Sequence, residues 1–121
     1  MGVPELHIEW AKQATEVNPE DSKTFGHLAD ALIRASRFNE ASAALDTAAS
    51  LGAELFAENG RARILRETGR LVEARQKFLN AASNYSTDPQ SIHSLAGAAE
   101  VLRDMGNYEE SLAEYTRALP V

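Results

Sequence analysis

The side chains most suited to acid–base or metal chemistry are three histidines, His7, His27 and His93, and they are widely separated in the chain. No HExxH and no histidine pair at i, i+4 occurs, so no helix face offers two imidazoles to one ion. A GxSxG elbow and a glycine-rich phosphate loop of the Walker kind are also missing. There is no cysteine, which removes disulfides, thiolate metal sites and a cysteine nucleophile. These residues predict a non-enzyme with no catalytic residue, no metal and no cofactor. Binding chemistry is better represented. Arginines recur at Arg34, Arg63, Arg66 and Arg103, and a guanidinium can grip a carboxylate through two parallel hydrogen bonds.

Those arginines stand in an acidic chain. Twelve Lys and Arg against 18 Asp and Glu leave a formal charge of −6, which argues against a nucleic-acid binder, because that work needs a basic face. The 121 residues, 44% of them hydrophobic, suffice for one domain with a continuous core. No run of about 18 apolar residues is present, so no membrane span is expected. Met1-Gly2-Val3-Pro4-Glu5 lacks the basic and apolar segments of a secretory signal, and a cytoplasmic location is the expectation.

The elements that must position these side chains are announced by a repeated motif. Gly69-Arg70-Leu71-Val72-Glu73-Ala74-Arg75 has counterparts in Ser36-Arg37-Phe38-Asn39-Glu40-Ala41-Ser42 and Gly106-Asn107-Tyr108-Glu109-Glu110-Ser111-Leu112. Each copy runs small, large apolar, glutamate, small. Each continues to an apolar residue (Leu45, Phe78, Tyr115) and then an alanine (Ala48, Ala81, Ala118) at helical spacing. A period of about 34 residues with helical spacing inside the unit marks a stacked helical repeat.

In order, the pattern predicts seven helices. The first spans Pro4 to Val17 and ends before Asn18-Pro19. The second follows an Asp21 or Ser22 cap and runs to about Ala35; the third runs from Phe38 to Leu51, with Gly52 closing it. The fourth runs from Ala53 or Glu54 to Thr68, and the fifth from Leu71 to about Tyr85. A sixth starts at Asp88-Pro89, with aspartate as cap and proline in the first turn, and continues to Met105. The last covers Tyr108 to Leu119. Strand-like alternation is absent, and the fold class is all-α.

The pattern resembles the tetratricopeptide repeat, a helix-turn-helix unit of 34 residues. The resemblance rests on Phe25, Leu28, Ala29, Leu32, Ala41, Leu45 and Ala48 in one unit. In another it rests on Leu95, Ala98, Ala99, Leu102, Gly106, Tyr108, Ser111, Tyr115 and Ala118. Between them, Gly69, Leu71, Glu73, Ala74, Phe78 and Ala81 fit, whereas Glu58 and Arg61 stand where a large aromatic and a leucine are usual. Four extra residues precede the last unit and should lengthen the helix after Ala81 or its loop. The resemblance implies one domain over 1–121, a right-handed superhelical solenoid of antiparallel helix pairs. It holds a half repeat (4–19) and three repeats (21–52, 53–87 with an irregular first helix, and 88–119).

In this family the first helix of each pair lines a concave groove. That places Lys23, His27, Asp30, Arg34, Asn59, Arg63, Arg66, His93, Glu100 and Arg103 on a candidate peptide-binding face. Gly26, Gly60 and Gly97, with Ile33 and Phe56, should lie beside them. Two readings are open. The glycines and arginines could form a bare-backbone groove with a basic strip for an acidic peptide. Alternatively, the glycines relieve crowding between helices and the arginines pair with Asp30, Glu67, Glu100 and Asp104. The clamp by which some family members grip the carboxylate end of chaperone tails is not matched, since its places hold Gly26, Asp30, Gly60, His93 and Gly97.

A solenoid also needs polar caps at its ends. Leu6, Ile8 and Trp10 at one end, and Tyr115 and Leu119 at the other, are expected to be uncovered. Either the chain is a piece of a longer protein, or the ends associate in a weak homodimer through Leu6, Trp10, Tyr115 and Leu119. The expected work is a non-catalytic scaffold that binds a protein or peptide. The alternative is the assembly or substrate-positioning segment of a larger enzyme or regulator.

Overall fold

The structure, a computed structural model, describes residues 3–118, except the side chains of Tyr115 and Ala118. Leu119 and the Tyr115 side chain, both named above as candidate contacts, lie outside the described residues. Seven helices and no strand occur within them: α1 (Val3–Val17), α2 (Ser22–Arg34), α3 (Phe38–Ser50), α4 (Glu54–Glu67), α5 (Leu71–Asn84), α6 (Ser91–Asp104) and α7 (Tyr108–Ala118). The chain has an all-α helical-repeat fold of the solenoid class.

The repeated motif is a turn that closes one helix and opens the next. After α2, Arg37 N donates to Leu32 O at 2.8 Å and Ser36 N to Ile33 O at 2.9 Å. The same pair of bonds follows three more helices. After α3, Ala53 N donates to Ala48 O at 2.9 Å and Gly52 N to Ala49 O at 3.0 Å. Arg70 and Gly69 close α4 on Leu65 O and Arg66 O, and Asn107 and Gly106 close α6 on Leu102 O and Arg103 O. This is the Schellman closure, and its pivot must adopt positive φ. The pivots are Ser36 at 59°, Gly52 at 105°, Gly69 at 84° and Gly106 at 85°, so one of the four turns holds a serine where glycine is the unstrained choice. The next residue opens the following helix. Arg37 Nε bonds Glu40 Oε1 at 2.8 Å and Arg70 Nε bonds Glu73 Oε1 at 3.1 Å, which accounts for the glutamate in the two copies of the motif that carry an arginine.

Other boundaries follow from capping chemistry. Asp21 caps α2, its side chain accepting from Lys23 N at 2.9 Å. The sixth helix starts later than the sequence predicts, at Ser91 rather than Asp88-Pro89. Asp88 Oδ1 accepts from Gln90 N at 2.8 Å and so commits its side chain to a turn ahead of the helix. The four extra residues before the last unit divide between helix and loop. α5 has 14 residues where α3 has 13, and residues 85–90 connect α5 to α6 where 51–53 connect α3 to α4.

The helices form two compact units, residues 1–60 and 61–121, with the division inside α4. In the first, α1 packs on α2 and α2 on α3. Ala29, Ala31, Leu32, Ala41, Leu45 and Ala48 are buried there, joined by Ile8 and Ala11 from α1. Small residues let the helix axes approach, while Leu32 and Leu45 supply bulk. In the second, α5 packs on α6 and α6 on α7. Its core is Ala62, Ala74, Phe78, Ala98 and Val101, with Leu65, Leu71 and Leu79 packed against it. Ser111 takes the place of the buried alanines Ala41 and Ala74, and its hydroxyl donates to Ala99 O on α6 at 2.6 Å.

Candidate protein-interaction faces

In the first unit, Lys23, His27 and Arg34 are exposed along α2, while Asp30 and, on α4, Asn59 are half-buried. Arg34 Nε lies 3.0 Å from Asp30 Oδ2, one helical turn away, so this cation already faces a carboxylate. Ile33, predicted to lie beside them, is buried in the core. Gly26 is buried as well, beneath the ring of Phe56, where an added Cβ would come 3.1 Å from Phe56 Cε1. Phe56 itself remains 48% exposed and is the large apolar group on this side of the unit. Gly60 faces packing rather than solvent, since a Cβ there would stand 2.6 Å from Leu45 Cδ2.

In the second unit, His93 and Arg103 are exposed, and Arg63, Arg66 and Glu100 are half-buried. Arg66 is the best-organised charge of the set. Its Nε bonds Asp104 Oδ2 at 2.5 Å, its Nη2 bonds Asp104 Oδ1 at 3.3 Å, and its Nη1 bonds Glu100 Oε2 at 2.8 Å. One guanidinium therefore ties α4 to two successive turns of α6. The hydrogen bond to Asp104 outweighs the opposing cost of burial and, with the fields of Asp104, Glu100 and Glu67, raises the Arg66 pKa. A raised pKa favours the charged form, so the contribution is complete at neutral pH and is lost only as pH rises through the guanidinium range. Gly97 is buried against Phe78, with a Cβ there falling 2.5 Å from Phe78 Cε1.

The geometry thus gives the glycines a packing role in both units and answers Arg34 and Arg66 with carboxylates. Two linking residues were not among those singled out from sequence. Arg75 on α5 pairs through Nη2 with Glu114 on α7, and among the described residues its buried Nε has no acceptor. No sequence signal names that pair, because its members stand 39 residues apart.

The arrangement is a known one. The fold resembles that of MamA. The solved structure described as "MamA MSR-1 C2" matches with a TM-score of 0.58 at 19% identity, over 97% of this chain and 66% of that chain. This chain therefore spans just under two thirds of that MamA chain, and identity at this level carries the fold alone. No family model matches the sequence, and no curated protein does.

The remaining candidates lie on α1. Leu6 and Trp10 are exposed as predicted, but Ile8 is not: it is buried against the rest of the first unit. Among the described residues no group of His, Asp and Glu could hold a metal ion, and no helix is long and apolar enough to cross a membrane.

Proposed function

We propose that the chain is a tetratricopeptide-type repeat protein, like MamA in fold, and that it works as a non-catalytic scaffold for protein segments. The observation that carries this reading is how the first helix of each pair is used. Its small residues are consumed in packing, at Ala29, Ala62 and Ala99, while a polar register stays accessible. That register holds Lys23, His27 and Arg34 on α2, and His93 and Arg103 on α6. With Arg34 paired to a carboxylate in the first unit and Arg66 to two in the second, each unit offers alternating charge rather than a basic strip. A peptide of mixed charge with backbone groups free to hydrogen-bond suits it better than a purely acidic one.

The test is a nuclear magnetic resonance titration with peptides selected from a displayed random library. Amide shifts should concentrate on α2 in the first unit, on α6 in the second, or on both. Lys23→Glu and Arg103→Glu should each weaken the peptide that shifts their own unit by about fivefold, on the order of 1 kcal/mol. Shifts confined to helix faces away from these residues, with both variants binding normally, would overturn the assignment.

A further inference from the structure

One helix of the first unit is apolar on two sides. Ile8 and Ala11 of α1 are buried toward the unit's core. Yet Val3, Leu6, Trp10 and Val17 are 80%, 42%, 62% and 77% exposed. At 100° per residue these four fall within an arc of about 60°, roughly 140° away from the buried pair. They form a continuous outward stripe rather than scattered surface residues. The offset of 34 residues that places Ala14 on Ala48 places Trp10 on Ala44, and α3 buries Ala44 and Ala48 in its packing with its neighbours. Trp10, at the centre of the stripe, therefore occupies a position that serves elsewhere in the unit as a helix–helix seam, whereas Leu6 falls on the exposed Glu40.

Charge decides what could cover it. Glu5, Glu9 and Glu16, all exposed, fall within about 40° of one another and run along one edge of the stripe. At its far end, Val17 borders a shallow depression whose other walls are Asn18, Pro19, Glu20 and Asp21. Residues 1–60 carry ten acidic and four basic side chains, which accounts for the whole −6 of the chain. A second copy docked antiparallel, stripe to stripe, would set acidic row beside acidic row, a parallel copy would set each row against an edge that holds no lysine or arginine, and an anionic lipid surface would meet the same repulsion.

We propose that the outward face of α1 docks an amphipathic helix of another protein, whose apolar stripe is edged with lysine or arginine. Apolar anchors at i, i+3 or i+4 and i+7 would seat against Leu6, Trp10 and Val17, and the basic edge would lie along Glu9 and Glu16. This face is distinct from the polar register of α2 and α6, and either assignment can fail without the other.

Trp10 is the one tryptophan of the chain, so its emission reports this face directly. The probe is a synthetic helical peptide with leucines at the anchor spacing and lysines along one edge, compared with a twin that carries glutamates there. The full chain should give a saturable blue shift with the lysine-edged peptide only. Leu6→Glu should weaken binding by about tenfold or more while leaving Trp10 and helical content in place. Glu9→Lys with Glu16→Lys should reverse the preference, so that the glutamate-edged twin binds instead. Four results would overturn the proposal. Both peptides could shift Trp10 equally, or neither could. The shift could grow with protein concentration alone, together with a doubled mass by light scattering, which would make a second copy the occupant. It could also appear with phosphatidylserine-containing vesicles and not with peptide, which would make the occupant a membrane.

Discussion

The two units share one helical plan and differ in how much salt links add to the packing within each, the first having a looser α1–α3 pair, Lys12 to Glu40 at 4.0 Å. Residues 1–60 are strongly acidic and packed through alanines and the buried leucines Leu32, Leu45 and Leu55, with Phe56 laid over Gly26. Residues 61–121 carry eight acidic and eight basic side chains, and their helices are cross-linked by Arg66 to Glu100 and Asp104 and by Arg75 to Glu114. Repeats of this kind require only a small residue at the crossing and a large one in the gap. The surrounding positions are then available for salt links in one place and for an outward apolar face in another.

The glycines offer the largest test of that contrast. Gly97→Ala should destabilise the chain by about 1–3 kcal/mol, because the new Cβ meets Phe78, a buried ring with no room to move. Gly26→Ala should be neutral or stabilising by up to about 1 kcal/mol. Its Cβ meets only Phe56, which is half-exposed and can turn outward, while the helix gains propensity. Denaturant midpoints of the two variants measure this, and equal losses would mean that both glycines sit in rigid surroundings.

The salt links come next. Arg66→Gln should cost roughly 1 kcal/mol, since a charge-assisted bond is discounted by the partial exposure of its partners. The loss should shrink in about 1 M salt, where the remaining Glu100 and Asp104 no longer repel each other appreciably. A loss that salt leaves untouched would assign Arg66 a packing role instead. The smallest effect is expected in the turn of the first unit. Ser36→Gly should stabilise by about 0.5–1 kcal/mol, read as a rise in melting temperature, because the pivot sits at φ 59°.

What the sequence makes legible follows the distance over which each feature is decided. Helix ends are decided within a turn or two, and Asp21, Gly52, Gly69 and Gly106 mark their boundaries as read. Asp88 misleads by a few residues because an aspartate before proline caps a turn as readily as a helix. The candidate face was less legible. Ile33 lies one residue from exposed Arg34 and yet is buried, since the buried residues of α2 span more than half of its circumference. Arg34 finds its carboxylate at i−4, a spacing visible in sequence, whereas Arg66 reaches partners 34 and 38 residues onward. Only the packing register of α4 on α6 selects those partners, and helical periodicity within one segment does not contain it.

The Schellman turns carry a consequence for how the chain acquires its structure. Each closes on a carbonyl only five residues back, as Arg37 does on Leu32, so the search that forms it involves almost no loop entropy. Folding can thus nucleate at any of the four turns and spread to neighbouring helices, in the manner of a one-dimensional array. Of the four, only the turn at Ser36 sets a non-glycine pivot at positive φ, so it alone carries a conformational cost that the glycine pivots avoid.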